Sequence, residues 1–61
     1  MTTADVKRLG LILAVQAEID GMKAGNEYRR IFDDYPAYDQ YNFDQMAEQI
    51  REIVNKHDDQ L

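Results

Sequence analysis

Sixty-one residues with 7 Lys and Arg against 12 Asp and Glu carry a net charge of -5 and contain no cysteine, tryptophan or serine. One domain is the most this length holds, and it buries only about 60% of its unfolded surface, which makes a buried enzyme pocket hard to build. Disulfides, thiolate metal sites and serine nucleophiles are excluded by composition, while 44% hydrophobic content argues against disorder.

The most apolar run is Leu9-Gly10-Leu11-Ile12-Leu13-Ala14-Val15. It falls far short of the roughly 20 residues that span a bilayer. Lys7 and Arg8 before it and Val15-Gln16-Ala17 after it imitate a signal peptide. Cleavage there would leave a chain too small to have a core. A soluble cytoplasmic protein without a membrane segment is the expectation.

A first helix is predicted over about 3–33. Thr2 or Thr3 caps it, Asp5 faces the positive end of its dipole, and no proline interrupts it from Ala4 to Phe32. Asp5–Arg8, Asp20–Lys23, Glu27–Arg30 and Arg29–Asp33 stand at helical pairing distance. Gly21 and Gly25 oppose the helix by up to about 1 kcal/mol each relative to Ala, which leaves room for a bend or an early break near Gly25-Asn26.

This helix has two apolar sides. Gly10, Ala14, Ala17, Gly21 and Ala24 are spaced four, three, four, three, and Tyr28 continues the stripe. Leu11, Ile12, Val15, Ile19 and Met22 lie roughly opposite, while Gln16, Asp20, Lys23 and Glu27 form a wet strip. One partner helix covers one side only. The other is left for a second chain, and the stripe of small residues suits close approach of two backbones. Periodicity alone does not decide which side takes which partner.

Asp33-Asp34-Tyr35-Pro36 closes the first helix, because Pro36 forces Tyr35 out of helical geometry. Asn42 is expected to cap a second helix, with Gln45 three residues on, over about 43–57. Its apolar stripe is Phe43, Met46, Ile50, Ile53 and His57, widened by Ala47 and Val54, and Glu52 pairs with Lys56. Asp58 to Leu61 should fray. The expected fold is all-α: one antiparallel helical hairpin over 1–61, dimerising into a four-helix arrangement through Gly10, Ala14, Ala17, Gly21, Ala24 and Tyr28.

Chemistry finds little to use. His57 is the sole histidine, and Val54 stands where a bundle metal site wants a Glu. Gly21-x-x-x-Gly25 lacks the Lys-Ser/Thr of a phosphate loop, and Glu48 with Glu52 reads as a solvated face. No catalytic, cofactor or metal residue is assigned. Residues 31–50 are more telling: Asp33, Asp34, Asp39, Asp44 and Glu48 without one Lys or Arg, and Tyr35, Tyr38 and Tyr41 at every third position. Tyrosine offers rigid contact area with a polar tip and is enriched at binding hot spots. Asp33, Asp34, Tyr35, Tyr38, Asp39 and Tyr41 are therefore the candidate partner-binding residues, with Tyr38 equally suited to closing the core. Lys23, Arg29 and Arg30 are too few for nucleic-acid binding against a charge of -5.

Glu18-Ile19-Asp20-Gly21-Met22-Lys23-Ala24-x-Asn26, then Tyr28-Arg29, then Pro36-Ala37-Tyr38, then Phe43 with Ala47-Glu48 and Ile50-Arg51, resembles short accessory proteins of tailed phages and prophages. The pattern there is E-I-x-G-M-K-A-x-N, then P-A-Y, then F-x-x-x-A-E-x-I-R, and the likeness covers residues 11–53. It carries no active residues over, since that family has no assigned activity. It implies a small phage protein in the cytoplasm of a host bacterium, an accessory factor engaging host machinery. The expected function is thus non-catalytic: binding a host protein to inhibit or redirect it. The alternatives are an acidic DNA mimic occupying a nucleic-acid-binding protein, or a small RNA-binding hairpin dimer.

Overall fold

The computed structural model describes all 61 residues as two helices, α1 (Thr3–Ile31) and α2 (Gln40–Asn55), followed by a 3-10 turn at Asp58–Gln60. The helices pack against each other as an antiparallel hairpin and there is no strand.

Thr2 caps α1: its hydroxyl accepts from the Asp5 N–H at 3.1 Å, while its own N–H donates to the Asp5 carboxylate at 3.0 Å. Two orphan donors are satisfied at once. The helix then runs 29 residues without a break. The early break that Gly25-Asn26 allows does not occur, and Asn26 is instead tied to the chain after the helix.

The first helix ends at Ile31, two residues before the expected limit. Asp33 adopts a left-handed φ of 54°, its N–H bonds to the Arg30 carbonyl at 3.1 Å, and the Asp34 N–H reaches the Arg29 carbonyl at 2.8 Å. That is a Schellman ending, which stops the helix five residues ahead of Pro36. With Asp33 outside the helix, Arg29 pairs with Asp34 instead, at 3.4 Å. Asp5–Arg8 and Glu27–Arg30 form as expected. Asp20 accepts from Gln16 rather than Lys23, and Glu52–Lys56 does not form.

The start of α2 differs more. Asp39, not Asn42, is the cap: its carboxylate accepts from the Asn42 N–H at 3.1 Å, and the Asn42 side chain accepts from the Asp39 N–H at 2.9 Å. Capping at Asp39 lets Asn42 bond back as the third residue of a capping box, and the helix gains three residues at its start. It ends at Asn55, so His57 lies beyond it, exposed, rather than on its stripe.

The core is thin. Ile12, Val15, Ile19 and Met22 of α1 meet Phe43, Met46, Ala47, Ile50 and Ile53 of α2, and only Val15, Met22 and Ile53 are buried, none of them completely. The bulky side of α1 is therefore the inner one, although Leu11 falls outside it and stays 43% exposed. The hairpin is a rod of 46 × 18 × 11 Å with a radius of gyration of 14.6 Å. A compact chain of this length would have about 10.5 Å.

The C-terminal residues are held down. Arg8, half-buried on α1, donates from Nε to the Ile53 carbonyl at 3.2 Å and from Nη2 to the Lys56 carbonyl at 2.6 Å and the Asp58 carboxylate at 3.0 Å. Lys7 Nζ donates to the Leu61 carbonyl at 3.2 Å. A guanidinium thus gives the Lys56 carbonyl a partner and adds a second donor to the Ile53 carbonyl, which also accepts from the Lys56 N–H at 3.4 Å.

Candidate functional site

The loop from Phe32 to Asp39 is short and fixed at both ends. At its start stands the Schellman turn, with the Tyr35 N–H donating to Asp34 Oδ1 at 2.8 Å. At its end Asn26 reaches across from α1. Its Nδ2 donates to the Tyr38 carbonyl at 2.8 Å and its Oδ1 accepts from the Tyr38 N–H at 3.0 Å. The Tyr38 ring lies over Gly25, where an added Cβ would sit 3.8 Å from Cε2.

This anchoring sorts the tyrosines. Tyr38, folded onto α1, is 39% exposed, whereas Tyr35 is 88% and Tyr41, in the first turn of α2, is 67% exposed. The acids are sorted too. Asp34 is engaged by Arg29 and by the Tyr35 N–H, Asp39 caps α2, and Asp44 accepts from Gln40. Asp33 makes no side-chain hydrogen bond and is solvent-facing beside Tyr35.

An open groove separates the loop from the last turns of α1. Lys23, Glu27 and Arg30 form one wall, and Asp33, Tyr35 and Pro36 the other, with Phe43 at its edge. Glu27 is held below the ordinary carboxylate range by the hydrogen bond from Arg30 and its positive charge, and Arg30 is raised in return. Such a surface offers apolar area with both charge signs at its rim and no enclosed cavity. No group of His, Cys, Asp or Glu stands close enough together to hold a metal ion.

The second surface is the outer side of α1. Gly10, Ala14, Ala17, Gly21, Ala24 and Tyr28 are all exposed, opposite the face that α2 covers. Val6, Leu13, Ile31 and Phe32 join them at 56%, 58%, 63% and 66% exposure, so the stripe is flanked by large apolar groups at both ends. Tyr28 and Phe32 pack against each other with ring centroids 4.9 Å apart. At Gly10 and Gly21 an added Cβ would meet nothing within 4 Å.

Two structural residues escape a reading of composition and charge: Arg8 and Asn26. Both stand in register with the inner apolar stripe, in the series 4, 8, 12, 15, 19, 22, 26. A polar side chain at each end of an apolar stripe is the signal, since burial there demands a partner.

No helix is long and apolar enough to cross a membrane. No family model matches the chain, and no curated protein or solved structure matches it either.

Proposed function

We propose that this chain is a non-catalytic binding protein, a phage-type accessory factor that docks on a host bacterial protein and inhibits or redirects it. The observation that carries the reading is the exposure of Tyr35 on a loop tied down by Asn26, and of Tyr41 in the first turn of α2 just after the Asp39 cap. Two free aromatic rings on a fixed loop and a capped helix start lose little conformational entropy on binding, which is what a hot spot requires. The mixed-charge groove beside Tyr35 gives such a partner a polar rim. The local bonds of Asp34, Asp39 and Asp44 weigh against an acidic mimic of DNA, which needs its carboxylates free. Self-association through the outer side of α1 belongs to the same reading, because a rod with three buried residues has little core of its own.

The test is capture from bacterial lysate with the tagged chain, followed by affinity measurement on the captured protein. Tyr35→Ala and Tyr41→Ala should each weaken binding by about 1–3 kcal/mol while melting stays nearly unchanged. Unchanged affinity in both variants sinks the proposal.

A further inference from the structure

We infer that two copies of this chain pair antiparallel along the outer face of α1, with the twofold axis at the level of Ile19, so that Tyr28 of each copy seats on Gly10 of the other. The inference rests on the self-association proposed above and adds its geometry.

Area favours a second copy over an open face. The chain exposes 4828 Å². A compact protein of 7.1 kDa exposes about 4,100 Å² by the usual scaling with mass. The excess, roughly 700 Å², is close to the ~800 Å² that one partner contributes to a standard interface.

The stripe is also complementary to itself in reverse. From Val6 through Gly10 and Ala14 to Ala17 the spacings are four, four, three. From Phe32 back through Tyr28 and Ala24 to Gly21 they are again four, four, three, with Ala17 and Gly21 four positions apart. Each residue therefore faces the one whose number completes a sum of 38. Laid antiparallel, Tyr28 falls on Gly10, Ala14 on Ala24 with Leu13 beside it, and Ala17 on Gly21. Large meets small, or small meets small, along the middle of the contact, with Val6 against Phe32 closing each end. Gly10 and Gly21 serve nothing within their own fold, since a Cβ at either would point into open space. A second backbone at close range gives both a use.

Direction follows from size and charge. A parallel pair would set Tyr28 against Tyr28 and Leu13 against Leu13. It would also abut two loop ends that each carry five acids and no Lys or Arg over residues 31–50. The antiparallel pair instead brings Asp33 and Asp34 of one copy toward Lys7 and the amino terminus of the other, and opposes the two helix dipoles.

The chain has no cysteine, so single introduced thiols report the geometry directly. Leu13→Cys and Ala24→Cys are oxidised separately and as a mixture. In the antiparallel pair residue 13 stands beside residue 24 of the other copy, while the two residues 13 are about 18 Å apart and the two residues 24 about 15 Å. A disulfide needs Cα atoms within about 7 Å. The expected result is at least tenfold more covalent dimer in the mixture than in either sample alone. Covalent dimer in each separate sample, with none joining the two variants, overturns the antiparallel geometry and leaves self-association standing. A dimer by sedimentation without any crosslink overturns the assigned face. Sedimentation of the unmodified chain as a 7.1 kDa species at micromolar concentration overturns self-association itself. Val6→Cys with Phe32→Cys, at the exposed ends of the stripe, gives the same readout should Leu13→Cys lose helicity.

Discussion

Asn26 and Tyr38 are joined twice: one carboxamide both donates to the Tyr38 carbonyl and accepts from its N–H. A side chain in α1 thereby takes the place of a neighbouring strand for one loop residue. The loop's backbone polar groups at that point find partners in protein rather than water.

Asn26→Asp keeps the shape and removes the donor, leaving a carboxylate against the Tyr38 carbonyl. It should lower unfolding stability by about 1–3 kcal/mol in urea titration. Asn26→Ala should cost less than the charged variant, and amide exchange at Tyr38 should accelerate in both. Unchanged exchange at Tyr38 would show that the loop is held by something else.

Arg8 should not be replaceable by Lys. One ammonium cannot reach two carbonyls and a carboxylate in the planar geometry that the guanidinium provides. Arg8→Lys and Arg8→Met should each destabilise the hairpin by about 1–3 kcal/mol and release the C-terminal turn to rapid amide exchange. Full retention of stability in Arg8→Lys would count against the carbonyl contacts.

At Asp33 the backbone occupies the left-handed region, with φ 54°. This conformation is unfavourable for an L-residue by roughly 1–2 kcal/mol and free of strain for glycine. Asp33→Gly should raise the melting temperature, and Asp33→Val should lower it. The gain is expected to be about 1 kcal/mol, offset in part by the freer unfolded chain.

Acid should loosen α1 at both ends. Asp5 is held below the ordinary carboxylate range by the Thr2 backbone N–H, the Thr2 side chain and the Arg8 charge, and Glu27 by Arg30. A depressed folded pKa means the stabilisation is present above the unfolded carboxylate pKa and is lost as pH falls through the folded value. Helicity measured by circular dichroism should therefore decline below about pH 4. Asp5→Asn and Glu27→Gln should flatten that limb by lowering the signal near neutrality toward its acid value.

Much of the fold was legible in the sequence because helix periodicity and Pro36 act locally. The inner stripe Ile12, Val15, Ile19 and Met22 and the α2 stripe Phe43, Met46, Ile50 and Ile53 follow from spacing alone. The choice of inner face did not, since it depends on which side buries more volume against α2. The ends of the elements were missed where two capping residues competed, as Asp39 did with Asn42, or where an Asp took a position usually filled by Gly. The tail was expected to fray because Arg8 is 50 residues from Asp58, and a contact at that distance leaves no local trace. In the loop, spacing marked out the three tyrosines, but their division into one anchored and two free rings depends on Asn26.

The two polar ties stand at opposite ends of the hairpin, Arg8 beside the end of α2 and Asn26 beside its beginning. If α2 slipped by one turn along α1, about 5.4 Å, every one of those hydrogen bonds would break together. Apolar side chains in between would tolerate such a slide, since one aliphatic contact replaces another at little loss. It is the pair of ties that makes sliding costly. They fix the height at which Tyr35 and Tyr41 stand relative to the Tyr28–Phe32 end of α1, so the two exposed surfaces of the rod keep a constant offset.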